Sequence, residues 1–315
     1  MPLPSKSELL SAYDRITPFV HKTPVMVSSS LNALCGCEIH FKCENFQRAG
    51  SFKIRGATNA ILNLSDEQRA KGIVAHSSGN HAQAIALAAR NVGVRAVIAM
   101  PKNAPTVKCD ATAAYGGEIQ FCESTALARQ ELADQIVAER GSTFIHPSNN
   151  LDVILGQGTC AVELLKEVPD LDALITPVGG GGLLAGCSLA AHYLAENCKV
   201  IGAEPVEADD AFRSLQSGSI ETNETANTIC DGLRTFLGDV NFPIIQECVD
   251  RIITVEEEEI VNAMQSIWNR MEIIIEPSCA VPYAALFRER QAFAGLKVGI
   301  VLTGGNVDLQ RLPWL

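Results

Sequence analysis

Gly50-Ser51-Phe52-Lys53-Ile54-Arg55-Gly56 is the stretch from which the rest of the chain can be placed. It carries a glycine at each end and an aromatic residue directly before its lysine. Phe41-Lys42-Cys43-Glu44-Asn45-Phe46 precedes it and reads as a strand end running into a loop, and Ile54 to Leu64 suits a helix. A lysine at a strand-to-helix junction can have a fixed position and a lowered pKa, and such an amine can form a Schiff base with an aldehyde.

Working outward, the 315-residue chain is 47% hydrophobic, enough for a sizeable core and more than one core usually takes, so two domains are expected. A formal net charge of -11 and the lack of any basic block argue against a nucleic-acid partner. Met1 to Asp14 carries acids and no long apolar run, unlike a signal peptide. The longest apolar runs are broken by Gly or Pro, so no membrane span is expected. The 11 cysteines are irregularly spaced, with Cys35-Gly36-Cys37 the one close pair; they read as free, mostly buried thiols of a cytoplasmic protein.

Ser7 to Arg15 reads as a helix and Glu38 to Glu44 as a strand. Strand, helix, strand, helix, strand, helix then follow over 71–75, 82–90, 96–100, 106–115, 118–121 and 124–140. This alternation predicts a parallel α/β unit, taken as a small domain over 66–149 between two parts of a larger one, 1–65 and 150–315. Phe144-Ile145-His146 reads as a further strand, and Gly156-Gln157-Gly158 as a break before a helix from Thr159 to Glu167. Strands are expected at 171–178, 200–203, 251–255 and 299–303, and helices at 183–196, 256–270 and 278–290. The recurring unit is an apolar parallel strand whose end carries polar or glycine residues, the edge at which open α/β sheets bind ligands.

Three such strand ends carry chemistry. Gly179, Gly180, Gly181 and Gly182 run from a strand into a helix, so bare backbone N–H groups and the positive helix end would cradle a phosphate; a tight packing turn is the alternative. No Lys-Ser or Lys-Thr follows and there is no Gly-x-Gly-x-x-Gly spacing, which argues against nucleotide and dinucleotide loops. Ser77-Ser78-Gly79-Asn80-His81 opens another helix, and its amides and hydroxyls suit a carboxylate. An ordinary N-cap needs only one polar residue. Glu204-Pro205-Val206-Glu207-Ala208-Asp209-Asp210 holds four acids in seven residues and by composition reads as a solvated helix start.

Lysine, phosphate cradle and anion loop together resemble the fold-type-II pyridoxal-phosphate enzymes, the serine and threonine dehydratase family. The resemblance covers nearly the whole chain. It rests on Lys42-Cys43-Glu44-Asn45-Phe46-Gln47, Ser51-Phe52-Lys53-Ile54-Arg55-Gly56-Ala57, Ser77 to His81, Gly156-Gln157-Gly158-Thr159, the four glycines and Thr303-Gly304-Gly305-Asn306-Val307-Asp308. It implies an α/β fold like that of the tryptophan synthase β chain, with two open twisted parallel-sheet domains, pyridoxal 5'-phosphate between them, and a homodimer.

Carried over, the resemblance implies that Lys53 is the Schiff-base lysine, with Phe52 packing at the cofactor ring and Asn80 meeting its hydroxyl oxygen. Gly179 to Gly182 and Leu183 would hold the phosphate, and Thr303 would face the pyridine nitrogen. Ser77, Ser78, Gly79, Asn80 and His81 would bind a small amino-acid substrate, Ser78 doubling as the acid on the opposite face from Lys53. Arg129 resembles the substrate-side arginine of the serine racemases of this family, and Ser148 stands where they have an asparagine. Glu204, Asp210 and the carbonyl of Ala208 resemble those enzymes' divalent-cation site, an all-oxygen set suited to Mg, Mn or Ca. Glu276-Pro277-Ser278 is family-like and equally a buried acid at a helix start. The implied activity is ammonia-lyase chemistry on a β-hydroxy amino acid. 3-Hydroxyaspartate is favoured, because Arg129 adds a charged fork to the anion loop and the loop at Ser148 and Asn149 is small and polar. Serine or aspartate racemisation and serine or threonine dehydration are the alternatives.

Overall fold

The computed structural model describes residues 2–104 and 106–315; Met1 and Pro105 lie outside the described residues. The chain opens with α1 (Lys6–Ile16), β1 (Val25–Met26), α2 (Ser29–Cys35) and β2 (Glu38–Cys43). Two single 3₁₀ turns, Glu44–Phe46 and Arg48–Gly50, lead into α3 (Lys53–Leu62). Next come α4 (Asp66–Lys71), β3 (Ile73–His76), α5 (Asn80–Asn91), β4 (Ala96–Pro101), α6 (Thr106–Ala114), β5 (Glu118–Cys122), α7 (Ala126–Arg140) and β6 (Thr143–Phe144). The remainder is α8 (Leu151–Glu167), β7 (Ala173–Pro177), α9 (Gly182–Leu194), β8 (Lys199–Pro205), α10 (Asp210–Ser217), α11 (Phe242–Cys248), β9 (Arg251–Val255), α12 (Glu257–Met271), α13 (Pro277–Arg288) and β10 (Lys297–Leu302).

The strands form two sheets. One has the order β1-β2-β10-β7-β8-β9 and is parallel except for the β1–β2 pair. The other has the order β5-β4-β3-β6 and is parallel throughout. Helices cover both faces of the larger sheet: α2, α12 and α13 on one side, and α1, α8, α9 and α11 on the other. That is why β7, β8 and β10 are nearly continuous apolar runs with no alternation, as parallel strands buried on both faces must be. Side chains start several helices: Ser5 and Ser65 form reciprocal capping boxes, and Asn150 accepts the Val153 N–H at 3.0 Å.

Two expectations from the sequence are corrected. The Gly156-Gln157-Gly158 segment is no break: α8 runs straight through it. Its glycines serve close helix approach. A Cβ on Gly156 would lie 2.6 Å from the Gly56 Cα of α3, and one on Gly158 would overlap the Gly186 carbonyl of α9. The tight packing that this approach allows outweighs the roughly 1 kcal/mol that each glycine costs a helix. The strand expected over 144–146 ends at Phe144; Ile145 still donates to the Val74 carbonyl at 2.9 Å, while His146 makes no sheet bond.

Gly158→Ala tests the first correction. Helix propensity alone would raise stability by about 1 kcal/mol. The clash with an immobile backbone carbonyl predicts a net loss of about 1–3 kcal/mol, seen as a lower urea midpoint. A midpoint that holds or rises would contradict the close-approach explanation.

Candidate active site

Lys53 is the first residue of α3, and the segment before it is pinned to the end of β10. Phe52 donates to the Thr303 carbonyl at 3.0 Å, and Ser51 bridges to Gly304. Behind the lysine, Arg55 is wholly buried between two acids. It donates to Glu44 at 2.7 and 2.8 Å and to Glu163 at 2.9 and 2.8 Å. Lys42 adds a bond to Glu163 at 2.6 Å. Burial alone would raise the Glu44 carboxyl, but Arg55 and Lys42 hold it below its ordinary value.

The Lys53 amine donates to the Pro147 carbonyl at 3.1 Å and lies 5.0 Å from the centre of the Phe52 ring. Loss of water lowers its pKa to about 8, against a smaller opposing pull from Glu276. About a tenth of the amine is therefore uncharged at pH 7, far more than for an ordinary lysine near 10.4, and the neutral form is the one a nucleophile requires.

Around Lys53 the structure gathers residues from four loops. β3 ends at His76, and the Ser77 hydroxyl accepts the Gly79 N–H at 3.1 Å, shaping the turn that starts α5. Asn80 donates to Glu276 at 2.7 Å and accepts from Asn306 at 2.9 Å, leaving one amide hydrogen free. His81 is buried, bonded through Nε2 to the Ile145 carbonyl at 3.2 Å. The Ser148 loop is held by His146, whose Nδ1 accepts the N–H groups of Ser148 at 3.2 Å and Asn149 at 2.8 Å. Burial, then the charges of His76 and Lys53, lower the His146 pKa to about 4, so it stays a neutral acceptor.

The glycine loop lies against Ser148. A Cβ on Gly182 would sit 2.9 Å from the Ser148 Cα, and one on Gly179 2.9 Å from the Gly232 carbonyl. From behind, the Asn241 amide donates to the carbonyls of Gly180 at 2.9 Å and Ser148 at 3.2 Å. Among the described residues the N–H groups of Gly179, Gly180 and Gly181 have no protein acceptor, and Gly181, at φ +78°, turns the chain into α9 with Leu183 in its first turn. Free amides at a helix start fit a phosphate. Thr303 is buried, its hydroxyl beside the Cys279 thiol.

One predicted site lies at the edge of this group and another stands apart. Arg129, on α7, is half-buried beside His76, whose pKa burial and then the Arg129 charge push down. Glu204 and Asp210 lie at the end of β8 and the start of α10. Glu204 accepts the N–H groups of Ala211 at 3.3 Å and Phe212 at 2.9 Å. One Asp210 oxygen accepts from Asn223 at 2.7 Å, and the other is buried without a partner. Burial and then Asp210 push Glu204 well up, and burial raises Asp210 to about 7. Among the described residues no three His, Cys, Asp or Glu side chains converge as metal ligands.

Sequence reasoning gave no role to His146, Asn241 or Asn306, the last though it lies in a quoted motif, and left Glu276 undecided. His146 had one usable signal, a histidine at the end of a strand, as at His76. The structure gives Glu276 a bond to Asn80; burial and then the Asp231 charge raise its pKa to about 8.

The sequence profile of the family described as "Pyridoxal-phosphate dependent enzyme" matches residues 16–304. The chain is 46% identical to a beta-hydroxyaspartate dehydratase of Paracoccus denitrificans over 314 residues, covering 100% of both chains. It is 48% identical to an L-threo-3-hydroxyaspartate ammonia-lyase of Saccharomyces cerevisiae over 316 residues, 100% of this chain and 97% of that one. The crystal structure of serine racemase from Dictyostelium discoideum superposes with a TM-score of 0.92 at 48% identity, covering 96% of this chain and 98% of that one.

The Lys53 environment makes a direct prediction. In cofactor-free protein, reaction of Lys53 with an amine-selective reagent should reach half its plateau rate near pH 8, below the value of about 10.4 for a lysine amine in water. Peptide mapping of the label against pH measures this, and a Lys53 midpoint with the exposed lysines would overturn the assigned environment.

Proposed function

Because the chain belongs to the family of pyridoxal-phosphate-dependent enzymes, we propose that it is an ammonia-lyase that converts a small β-hydroxy amino acid, 3-hydroxyaspartate above others, to a 2-oxo acid and ammonia. One observation carries this reading: the Pro147–Ser148 loop touches both the Lys53 amine and the glycine turn with its unpartnered N–H groups, and Asn80 is bonded to Glu276, whose charge reaches Lys53. When bound, the cofactor supplies the electron sink that makes a substrate α-hydrogen acidic and lets the β-substituent depart. Lys53 would hold the cofactor aldehyde, and its Nζ would take the substrate α-proton. Phe52 would pack at the ring, Asn80 would meet the ring hydroxyl oxygen, and Gly179 to Gly182 with Leu183 would hold the phosphate. Thr303 would face the ring nitrogen; a hydroxyl would hold no proton there as a carboxylate does, which would favour fast β-elimination.

Ser77 to His81 receive the α-carboxylate. Arg129 and the Ser148 loop serve the second carboxylate of 3-hydroxyaspartate, and the full-length likeness to two enzymes named for that substrate supports the choice. Racemisation of serine or aspartate at the same site is the second reading. It is supported by Ser78, placed in the anion loop as a hydroxyl acid, and by the likeness to serine racemase.

We further place a divalent cation, Mg, Mn or Ca, at Glu204, Asp210 and the Ala208 carbonyl. Two buried carboxylates with raised pKa values and one unpartnered oxygen suit a cation; Arg213, which acts on Asp210, is itself paired with Asp209. We also place the small domain at 66–149, between 1–65 and 150–315. A cytoplasmic homodimer fits the 11 free cysteines and the exposed Val27, Leu34 and Phe287. Among the described residues no helix is long and apolar enough to cross a membrane.

Two experiments test the reading. With both enantiomers of serine and threonine and the four 3-hydroxyaspartates, kcat/KM should be highest for a 3-hydroxyaspartate. Arg129→Ala should cut that value about ten- to hundredfold more than the value for serine, the worth of a charge-assisted pair. Equal losses would assign Arg129 to the shared α-carboxylate, and a wild-type preference for serine or threonine would overturn the substrate choice. For the cation, EDTA should lower Tm and Mg or Mn restore it; binding at a hundred times Kd is worth about 2.7 kcal/mol. Asp210→Asn should blunt both responses, and an unchanged Tm with no metal by elemental analysis would remove the site.

A further inference from the structure

Outside the residues assigned above, one charged pair stands between the anion loop and the glycine loop. Lys108 of α6 and Asp231, which opens the 3₁₀ turn Asp231–Leu233, are ion-paired. Among the described residues this is the one ion pair that joins the layer of the four-stranded sheet to that of the six-stranded sheet. Its lysine end reaches the anion loop, since the Lys108 Nζ lies 3.7 Å from where a Cβ on Gly79 would stand. Its acid end is mounted on the phosphate loop: the Gly232 carbonyl packs against Gly179, and the Gly232 N–H donates to Ser278 at 3.2 Å. Glu276, bonded to Asn80, feels both charges.

The pair is unequal. The Lys108 side chain is 15% exposed and that of Asp231 48%. Released from the pair, Asp231 can be rehydrated where it stands, whereas Lys108 would be left in a drier place without a partner. An ammonium so placed holds one carboxylate until another arrives. Amino acids bring that carboxylate to the loop beneath it.

We propose that Lys108 is a substrate-binding residue kept in reserve by Asp231: its ammonium exchanges the Asp231 carboxylate for the α-carboxylate of the amino acid entering the Ser77–His81 loop. The exchange trades one carboxylate for another, so bringing in the substrate costs Lys108 no partner, and Asp231 acts as a built-in competitor. The proposal rests on the amino-acid-binding part of the reading above and not on the choice of 3-hydroxyaspartate.

The two partners have opposite expected effects, which separates exchange from a simple clasp between layers. Glycine is the probe, because it carries the α-carboxylate, no second acid and no β leaving group. Its binding to the holoenzyme is measured by calorimetry and by the change in cofactor absorbance. Lys108→Gln should raise the glycine Kd about ten- to hundredfold, as loss of a charge-assisted bond does. Asp231→Asn should lower the Kd severalfold, and the double variant should match Lys108→Gln. Both single variants weakening glycine alike, or neither changing it, would overturn the proposal; the sign for Asp231→Asn decides the matter alone should Lys108→Gln not fold. The ammonia-lyase reading fails on a different result, wild-type enzyme that releases no oxo acid from any 3-hydroxyaspartate while still binding glycine.

Discussion

The structure depends on the buried charge cluster around Arg55. Its guanidinium is held by Glu44 at the end of β2 and Glu163 on α8, and Lys42 completes the set. Two cations and two carboxylates, each with nearly no exposed surface, leave the interior neutral. Removing one member would strand a buried charge, at a cost of about 3–5 kcal/mol. Replacing all four with apolar groups would be far less costly, so the cluster is better understood as fixing position than as adding stability. Lys53 lies two residues before Arg55, and its backbone is set by the same three elements.

Close helix packing extends that frame. Gly56 of α3 meets Gly156 of α8, and Gly158 of α8 meets Gly186 of α9. The three helices that carry Lys53, Glu163 and the glycine turn are thus stacked at backbone contact. Each pair of glycines fixes two helices against each other without a flexible side chain between them. Asn241 and Asn306 act similarly for the loops, fixing carbonyls and amides so that the free N–H groups face the cleft.

What was legible in the sequence was local. Lys53, the four glycines and Ser77 to His81 each lie at the end of one strand and the start of one helix, so composition and period place them together. What was not legible spans the chain. Glu276 meets Asn80 across 196 residues, and Lys108 meets Asp231 across 123. Gly156 and Gly158 were misread because a glycine signals a break along the chain, while their reason lies on neighbouring helices. The acids at Glu204 and Asp210 were visible as composition, but their burial was not, and burial is what turns a solvated helix start into a candidate cation site.

The central claim is that this frame exists to present one lysine. Borohydride reduction of the purified holoenzyme, followed by proteolysis and mass mapping, tests it most directly. The account predicts a single pyridoxyl label, on Lys53, and none on Lys42, which is locked to Glu163. A label on any other lysine, or no label in protein that retains the cofactor, would contradict it.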